Sequence, residues 1–162
     1  MAVTLTQAYA QLQATVVELP AVTPLTHKLV AEAGATNRVT VVAADVVREP
    51  VPGAYEVAVV RELLQVLSPD EAQRALQHIG AALTPRGTIY IVGQVLDDTH
   101  ITPPEAVGFN LIFLNTFYAG ESYTEREHRR WLRAAGFVDI ERAPFLLRDG
   151  FGSGLITARK QE

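Results

Sequence analysis

The chain has 162 residues, a net charge of −4 and no cysteine. Apolar residues make up 48% of it and charged residues 20%, which is typical of a globular protein, and we expect one domain over residues 1–162. The lack of cysteine excludes disulfides, thiol nucleophiles and Cys-ligated zinc, and the acidic balance argues against a nucleic-acid partner. No apolar run is long enough for a membrane span and the N-terminus lacks a signal-peptide pattern, so we expect a cytoplasmic protein.

Strands and helices alternate along the chain. In order, the patterns predict a helical segment at 2–11, a strand at 14–19, a helix at 24–33, strands at 38–44 and 56–60, a helix at 68–83, a strand at 88–95, a helix from Pro103, a helix from Thr124 to Gly136, and strands at 137–144 and 154–159. The loop Leu147–Ser153 between the last two strands favours an antiparallel hairpin. This alternation predicts a three-layer α/β domain with a mostly parallel sheet.

Two helix starts carry a local signature. Ser68 and Glu71 have the spacing of a capping box, with Pro69 at the first helical position, and Thr124 and Glu127 repeat that spacing. Both helices are therefore predicted to begin at these residues.

Two short apolar β-branched runs end in a carboxylate. The run from Ala14 ends at Glu18, and the run from Val39 ends at Asp45. The carboxyl ends of parallel strands open onto the ligand crevice of an open α/β sheet. An acid there can accept both hydroxyls of a ribose, and an acid one strand away can meet an adenine amino group. The pattern indicates a nucleotide-type site, although no strand or glycine-rich turn comes before Glu18.

The order of elements resembles the S-adenosylmethionine-dependent methyltransferase fold. Within that fold it is similar to the O-methyltransferases of the plant caffeic-acid type and the bacterial polyketide-tailoring type. The segments that carry the resemblance are Val17–Pro20, Arg38–Val39 leading to Ala44–Asp45, Leu67–Glu71, Thr84–Gly87, and Trp131–Leu132 before Ala135–Phe137. It implies a Rossmann-like sheet, mostly parallel, with a C-terminal antiparallel hairpin.

The resemblance implies a role for four residues in binding S-adenosylmethionine. Glu18 takes the position of the ribose-binding acid, Asp45 and Val46 match the pair that meets the adenine, and Arg61 falls on a basic cofactor-contacting position. Two of them have a simpler alternative. Glu18 alone reads as a solvated strand-end acid, and Arg61 can pair with Glu62 or Glu56.

The sequence departs from the family pattern in three ways. The first central strand with its glycine-rich loop is missing, and so is the N-terminal helical domain. The position of the family's histidine base is occupied by Gln65, and its two supporting glutamates fall at Gln94 and Ser122. Because a neutral amide cannot take a proton from a phenol near neutral pH, methyl transfer would depend on positioning the acceptor.

The helix after Pro104 is the predicted wall of the acceptor site. Phe109, Asn110 and Phe113 are the candidate substrate-binding residues. Core packing is the alternative for the aromatic residues, and it suits Phe113 and Phe117 better than it suits Asn110. Asn110 lies on a mostly apolar face and needs a hydrogen-bond partner, of which a ligand is one candidate.

The histidines carry no predicted function. His27, His78 and His128 lack a second ligand at helical spacing, so we expect them at the surface, and no metal site is predicted.

The resulting hypothesis is an S-adenosylmethionine-dependent O-methyltransferase portion that acts on a small aromatic or polyketide-like hydroxyl compound. The alternative is a truncated or split non-catalytic domain of the same fold that serves in assembly. The missing strand would leave the strands at 14–19 and 56–60 without their shared neighbour. Either these two strands pair directly, or a second copy or another chain completes the sheet, and we expect an oligomer.

Overall fold

A computed structural model describes residues 1–146 and 152–162. They form two compact units, residues 1–51 and 52–162, and the assignment of 1–162 to one domain stays a prediction. The first unit contains α1 (Ala2–Ala8), β1 (Ala14–Glu18), α2 (Thr23–Glu32) and β2 (Val39–Ala43). The second contains β3 (Tyr55–Arg61), a 3-10 helix (Leu64–Val66), α3 (Pro69–Ala82), β4 (Leu83–Gly93), β5 (Val95–Leu96), α4 (Pro104–Thr116), β6 (Tyr123–Thr124), α5 (Glu125–Ala134), β7 (Phe137–Leu146) and β8 (Gly152–Lys160).

In the first unit, β1 and β2 form a two-stranded parallel sheet. Their register runs from Ala14 opposite Val39 to Glu18 opposite Ala43, so the two strands end at the same edge. The helices cover this pair through a small apolar cluster centred on Val30, with Ala35 and Val39. Because Val39 belongs to β2 and Val30 to α2, this cluster joins helix to sheet.

In the second unit, a four-stranded sheet has the order β3-β4-β8-β7. The pair β3–β4 is parallel, whereas β4–β8 and β7–β8 are antiparallel. The predicted C-terminal hairpin is thus confirmed by its strands, while residues 147–151 of the predicted loop lie outside the described residues. The centre of this sheet is apolar: Ile89 and Ile91 of β4 and Ile156 of β8 are almost fully buried.

Strand β4 begins earlier than predicted. It starts at Leu83 and not at Thr88, because Leu83 already pairs with Tyr55 at the start of β3. The predicted strand over 88–95 is also divided, since β4 ends at Gly93 and Val95 pairs instead with Tyr123 of β6. This break brings β5 and β6 side by side.

Both predicted capping boxes are confirmed. The Ser68 hydroxyl accepts a hydrogen bond from the backbone N–H of Glu71, and the Thr124 hydroxyl accepts one from that of Glu127. Each glutamate carboxylate in turn accepts a hydrogen bond from the backbone N–H of its serine or threonine. The helices α3 and α5 begin at the next residue, as this local chemistry requires.

The prediction that His128 lies at the surface is wrong. The residue is 2% exposed, because His128, Trp131 and Leu132 have the i, i+3, i+4 spacing that makes up the inward face of α5. The histidine ring packs against Tyr123 and Trp131, with 5.7 Å between the His128 and Trp131 centroids. His27 is exposed and His78 half-buried.

Helix α4 is apolar yet largely exposed. Within it only Ala106 is buried, and Leu111, Ile112 and Leu114 are all more than half exposed. Core packing for Phe117 is therefore wrong, since the residue is 39% exposed just after the helix, and Phe113 is only half-buried. The helix packs against the rest of the unit through the small side chain of Ala106, and so its large side chains remain available for contact.

Strands β1 and β3 each have a single strand partner among residues 1–146 and 152–162. Those partners are β2 and β4 respectively. In the same described residues, no helix is both long and apolar enough to cross a membrane.

Candidate functional site

The first unit carries two of the predicted cofactor-binding acids at one sheet edge. Glu18 is the last residue of β1, and Asp45 follows β2 by two residues. The backbone N–H of Ala44 donates to the Glu18 carbonyl at 2.9 Å, which extends the β1–β2 pairing to this edge. The acids predicted to flank a nucleotide are therefore neighbours in space, at the carboxyl ends where α/β sheets bind ligands.

The two carboxylates differ in what they already contact. Asp45 accepts a hydrogen bond from the Val47 N–H at 3.0 Å and lies 3.4 Å from the Arg48 guanidinium, so it stabilises its own turn. Val46 is half-buried within this turn. The half-buried Glu18 side chain has no hydrogen bond or ion pair in the part of the chain that the structure describes. Glu18 is accordingly the free acceptor at this edge and fits a vicinal diol, whose two hydroxyls can donate to one carboxylate.

In the second unit, Arg61 occupies the end of β3. It is exposed and forms no ion pair with any described residue, although its positive charge acts on the carboxyl of the neighbouring Glu62. The next residue, Glu62, has a backbone φ of 52° and a backbone N–H that donates to Val92 O at 2.9 Å. Sequence reasoning treated Glu62 only as a possible partner of Arg61 and missed its position at the strand edge.

Gln65 is held firmly inside the second unit. It is 5% exposed within the 3-10 helix, and its side-chain Nε2 donates to Glu62 Oε2. Glycines enclose it: a Cβ on Gly93 would lie 2.9 Å from Gln65 Oε1, and one on Gly120 would lie 2.5 Å from the Gln65 carbonyl oxygen. The Gln65 amide therefore lies close against the Gly93 backbone, and at Gly120 a side chain would meet the backbone of Gln65.

The other two positions that replace family glutamates are buried near one another. Gln94 and Ser122 directly precede Val95 and Tyr123, which pair in the β5–β6 ladder. Gln94 is 6% exposed and Ser122 1% exposed. The Gln94 Oε1 atom is buried with no hydrogen-bond partner among the described residues. This acceptor is one that a bound donor could satisfy.

The predicted acceptor wall is partly assembled. Asn110 Oδ1 accepts a hydrogen bond from the Ser122 backbone N–H at 2.6 Å, so the partner that its position demanded is protein backbone. The Phe109 and Phe113 rings stack with 6.5 Å between centroids, and both are half-buried. Their exposed ring surfaces leave an aromatic face on α4.

Electrostatics single out two groups in this unit. Burial raises the pKa of the Glu62 carboxyl, against the opposing effects of the Arg61 charge and the Gln65 hydrogen bond. Burial lowers the pKa of His128, whose Nδ1 lies 2.8 Å from the Thr124 carbonyl oxygen. Among the described residues, no cluster of three His, Asp or Glu is arranged to hold a metal ion.

Comparisons with known proteins point to one family. Residues 1–138 match the family model described as an O-methyltransferase domain. A 3-hydroxy-5-methyl-1-naphthoate 3-O-methyltransferase of Streptomyces sahachiroi is 29% identical over 137 residues, which are 85% of this chain and 39% of that protein. The tetracenomycin polyketide synthesis 8-O-methyl transferase TcmO of Streptomyces glaucescens is 29% identical over 140 residues, 86% of this chain and 41% of that protein.

The solved structures agree on the fold. The apo crystal structure of the S-adenosylmethionine-dependent methyltransferase SibL superposes with a TM-score of 0.87 at 25% identity and covers 99% of this chain. The match extends over 47% of the SibL chain. The chain thus spans less than half the length of the relatives that it matches.

Proposed function

Because the chain belongs to the O-methyltransferase domain family, we propose that it transfers a methyl group from S-adenosylmethionine to a hydroxyl of a small aromatic or polyketide-like acceptor. The family match over residues 1–138 carries this proposal. The names of two relatives support the acceptor class, since one is a naphthoate O-methyltransferase and the other an O-methyltransferase of tetracenomycin polyketide synthesis. A cytoplasmic location is part of the same proposal.

On the cofactor side, Glu18 accepts hydrogen bonds from the two ribose hydroxyls. Its lack of a partner within the described residues supports this role, because a free carboxylate loses no internal contact on binding. Asp45 and Val46 meet the adenine, and Arg61 contributes a basic contact. S-adenosylmethionine, when bound, supplies an activated methyl group.

On the acceptor side, Phe109, Asn110 and Phe113 contact the substrate. The two stacked rings offer an apolar surface for an aromatic acceptor. Gln65, at the position of the family base, is a neutral amide that cannot take a proton, so orientation of the acceptor hydroxyl toward the methyl group contributes to the rate. Correct positioning alone is worth several kcal/mol, up to about 7–11 kcal/mol in well-oriented systems.

Calorimetry with S-adenosylhomocysteine tests the cofactor site. We expect the wild-type chain to bind it and the Glu18→Ala variant to lose at least about tenfold in affinity, which corresponds to about 1.4 kcal/mol. Glu32→Ala is the matched control, because Glu32 lies on α2 in the same unit with a side chain that is 58% exposed. No heat from the wild-type chain at millimolar ligand would favour the alternative, a non-catalytic methyltransferase-fold domain that serves in assembly.

The strand edges support an oligomer or a partner chain that completes the sheet. Strands β1 and β3 each have one partner among the described residues, and their unpaired backbone groups form the kind of edge that another strand can join. Light scattering at high protein concentration tests this proposal. A mass that stays at the 17.7 kDa of one chain would count against it.

A further inference from the structure

Glu62 lies at the carboxyl end of the parallel β3–β4 pair in the second unit. It follows the last residue of β3, and its backbone N–H donates to Val92 O at 2.9 Å, which continues the parallel β3–β4 ladder by one residue. Its φ of 52° lies in the left-handed region, which few residues other than glycine adopt. Strained backbone of this kind is found preferentially at functional sites, where it orients a side chain.

Gln65 orients the Glu62 carboxylate. The buried Gln65 amide donates through Nε2 to Glu62 Oε2, and the amide lies close against the backbone of Gly93. The second carboxylate oxygen, Oε1, has no hydrogen-bond partner in residues 1–146 or 152–162. One oxygen of Glu62 is thus anchored and the other is available to a ligand.

The surroundings of Glu62 suit a proton acceptor. Burial raises the pKa of the carboxyl, and a carboxylate with a raised pKa is a stronger base near neutral pH. The charged group that acts on it is Arg61, which opposes the shift without cancelling it. The burial of Glu62 is only partial, so a small acceptor molecule can still reach it.

From this geometry we infer that Glu62 is the general base of the methyl transfer and that Gln65 is the residue that positions it. The inference rests on the proposed function. Glu62 takes the proton of the acceptor hydroxyl, and the electron pair left on oxygen forms the new bond to the methyl carbon. The bond between that carbon and sulfur breaks, and its electrons stay on sulfur in S-adenosylhomocysteine. Glu62 then passes its proton to water.

The decisive variant is Glu62→Gln. It keeps an oxygen that can accept the Gln65 hydrogen bond but cannot take a proton. With 3-hydroxy-5-methyl-1-naphthoate as acceptor, we expect kcat at pH 7 to fall at least about 100-fold with little change in KM. The deficit should shrink as the pH rises and the naphthol ionises by itself. Glu56→Gln is the matched control, an exposed glutamate at the opposite end of β3, and should behave as wild type.

A second readout does not depend on turnover. In the complex with S-adenosylhomocysteine, the absorbance of the bound naphthoate reports whether its hydroxyl is ionised. We expect the naphtholate band to appear at lower pH with wild type than with Glu62→Gln. Glu62→Asp, which keeps the carboxylate one methylene shorter, should retain part of the activity and the same form of pH profile.

The outcomes separate the two proposals. Parallel pH profiles for wild type and Glu62→Gln, together with unchanged naphtholate absorbance, would overturn the role of Glu62 and leave methyl transfer intact. Absence of S-adenosylhomocysteine binding by the wild-type chain would overturn the proposed function itself, and the base with it.

Discussion

Replacing Gln94 by methionine should stabilise the protein. The Gln94 side chain is 6% exposed, and its Oε1 atom is buried with no donor in the described part of the chain. An acceptor left in this state costs about 1–3 kcal/mol, because it has given up its hydrogen bond to water without replacement. Methionine has nearly the same length and shape but carries no amide to desolvate.

The expected gain is at the lower end of that range. The amide nitrogen of Gln94 adds nothing to this gain, because Oε1 is the unsatisfied buried atom of this side chain among the described residues, so we expect the free energy of unfolding to rise by about 1 kcal/mol. For a chain of this size, that corresponds to a rise in Tm of about 2–4 °C. Urea unfolding and differential scanning calorimetry would measure both quantities.

Gln65→Met is the control with the opposite sign. Gln65 is equally buried, but its amide donates to the Glu62 carboxylate, and a hydrogen bond to a charged group contributes about 1.5–3 kcal/mol. The same chemical change should therefore destabilise the protein at position 65 and stabilise it at position 94. A loss of more than about 1 kcal/mol in Gln94→Met would refute the reasoning, since it would mean that Oε1 has a partner in solution.

Two further changes test the packing around the site. The pKa of buried His128 is lowered, so the unfolded chain, with an ordinary histidine pKa near 6.5, takes up a proton that the folded chain does not. This group should therefore leave the free energy of unfolding unchanged above about pH 6.5. Below that pH it should lower the free energy of unfolding by at most about 1.4 kcal/mol per pH unit. Urea titrations at several pH values should show a shallower decrease for His128→Gln than for wild type. Equal slopes would contradict this account. Gly120→Ala places a Cβ 2.5 Å from the Gln65 carbonyl oxygen, so we expect a loss of about 1–3 kcal/mol in thermal unfolding; Gly108→Ala, where a Cβ meets nothing within 4 Å, is the control.

Local sequence determined the elements whose chemistry is local. The capping boxes at Ser68 and Thr124 were predictable because the groups that satisfy a helix N-terminus lie within three residues of its start. The apolar runs that end at Glu18 and before Asp45 likewise predicted two strands, and their parallel pairing brings both acids to one edge. The fold class followed from the alternation of such elements.

Only the tertiary structure decided the environment of individual polar side chains. The burial of His128 depends on Tyr123 and Trp131, which pack against its ring. The Gln94 Oε1 atom is unsatisfied because no described residue places a hydrogen-bond donor next to it. Glu62 is one of several glutamates in the sequence. The structure distinguishes it by a backbone hydrogen bond to Val92 and a side-chain hydrogen bond from Gln65. Neither its backbone conformation nor its partial burial can be predicted from the sequence. Hydrogen bonding and burial are sums over neighbours that are distant in sequence, and so they exist only once the chain has folded.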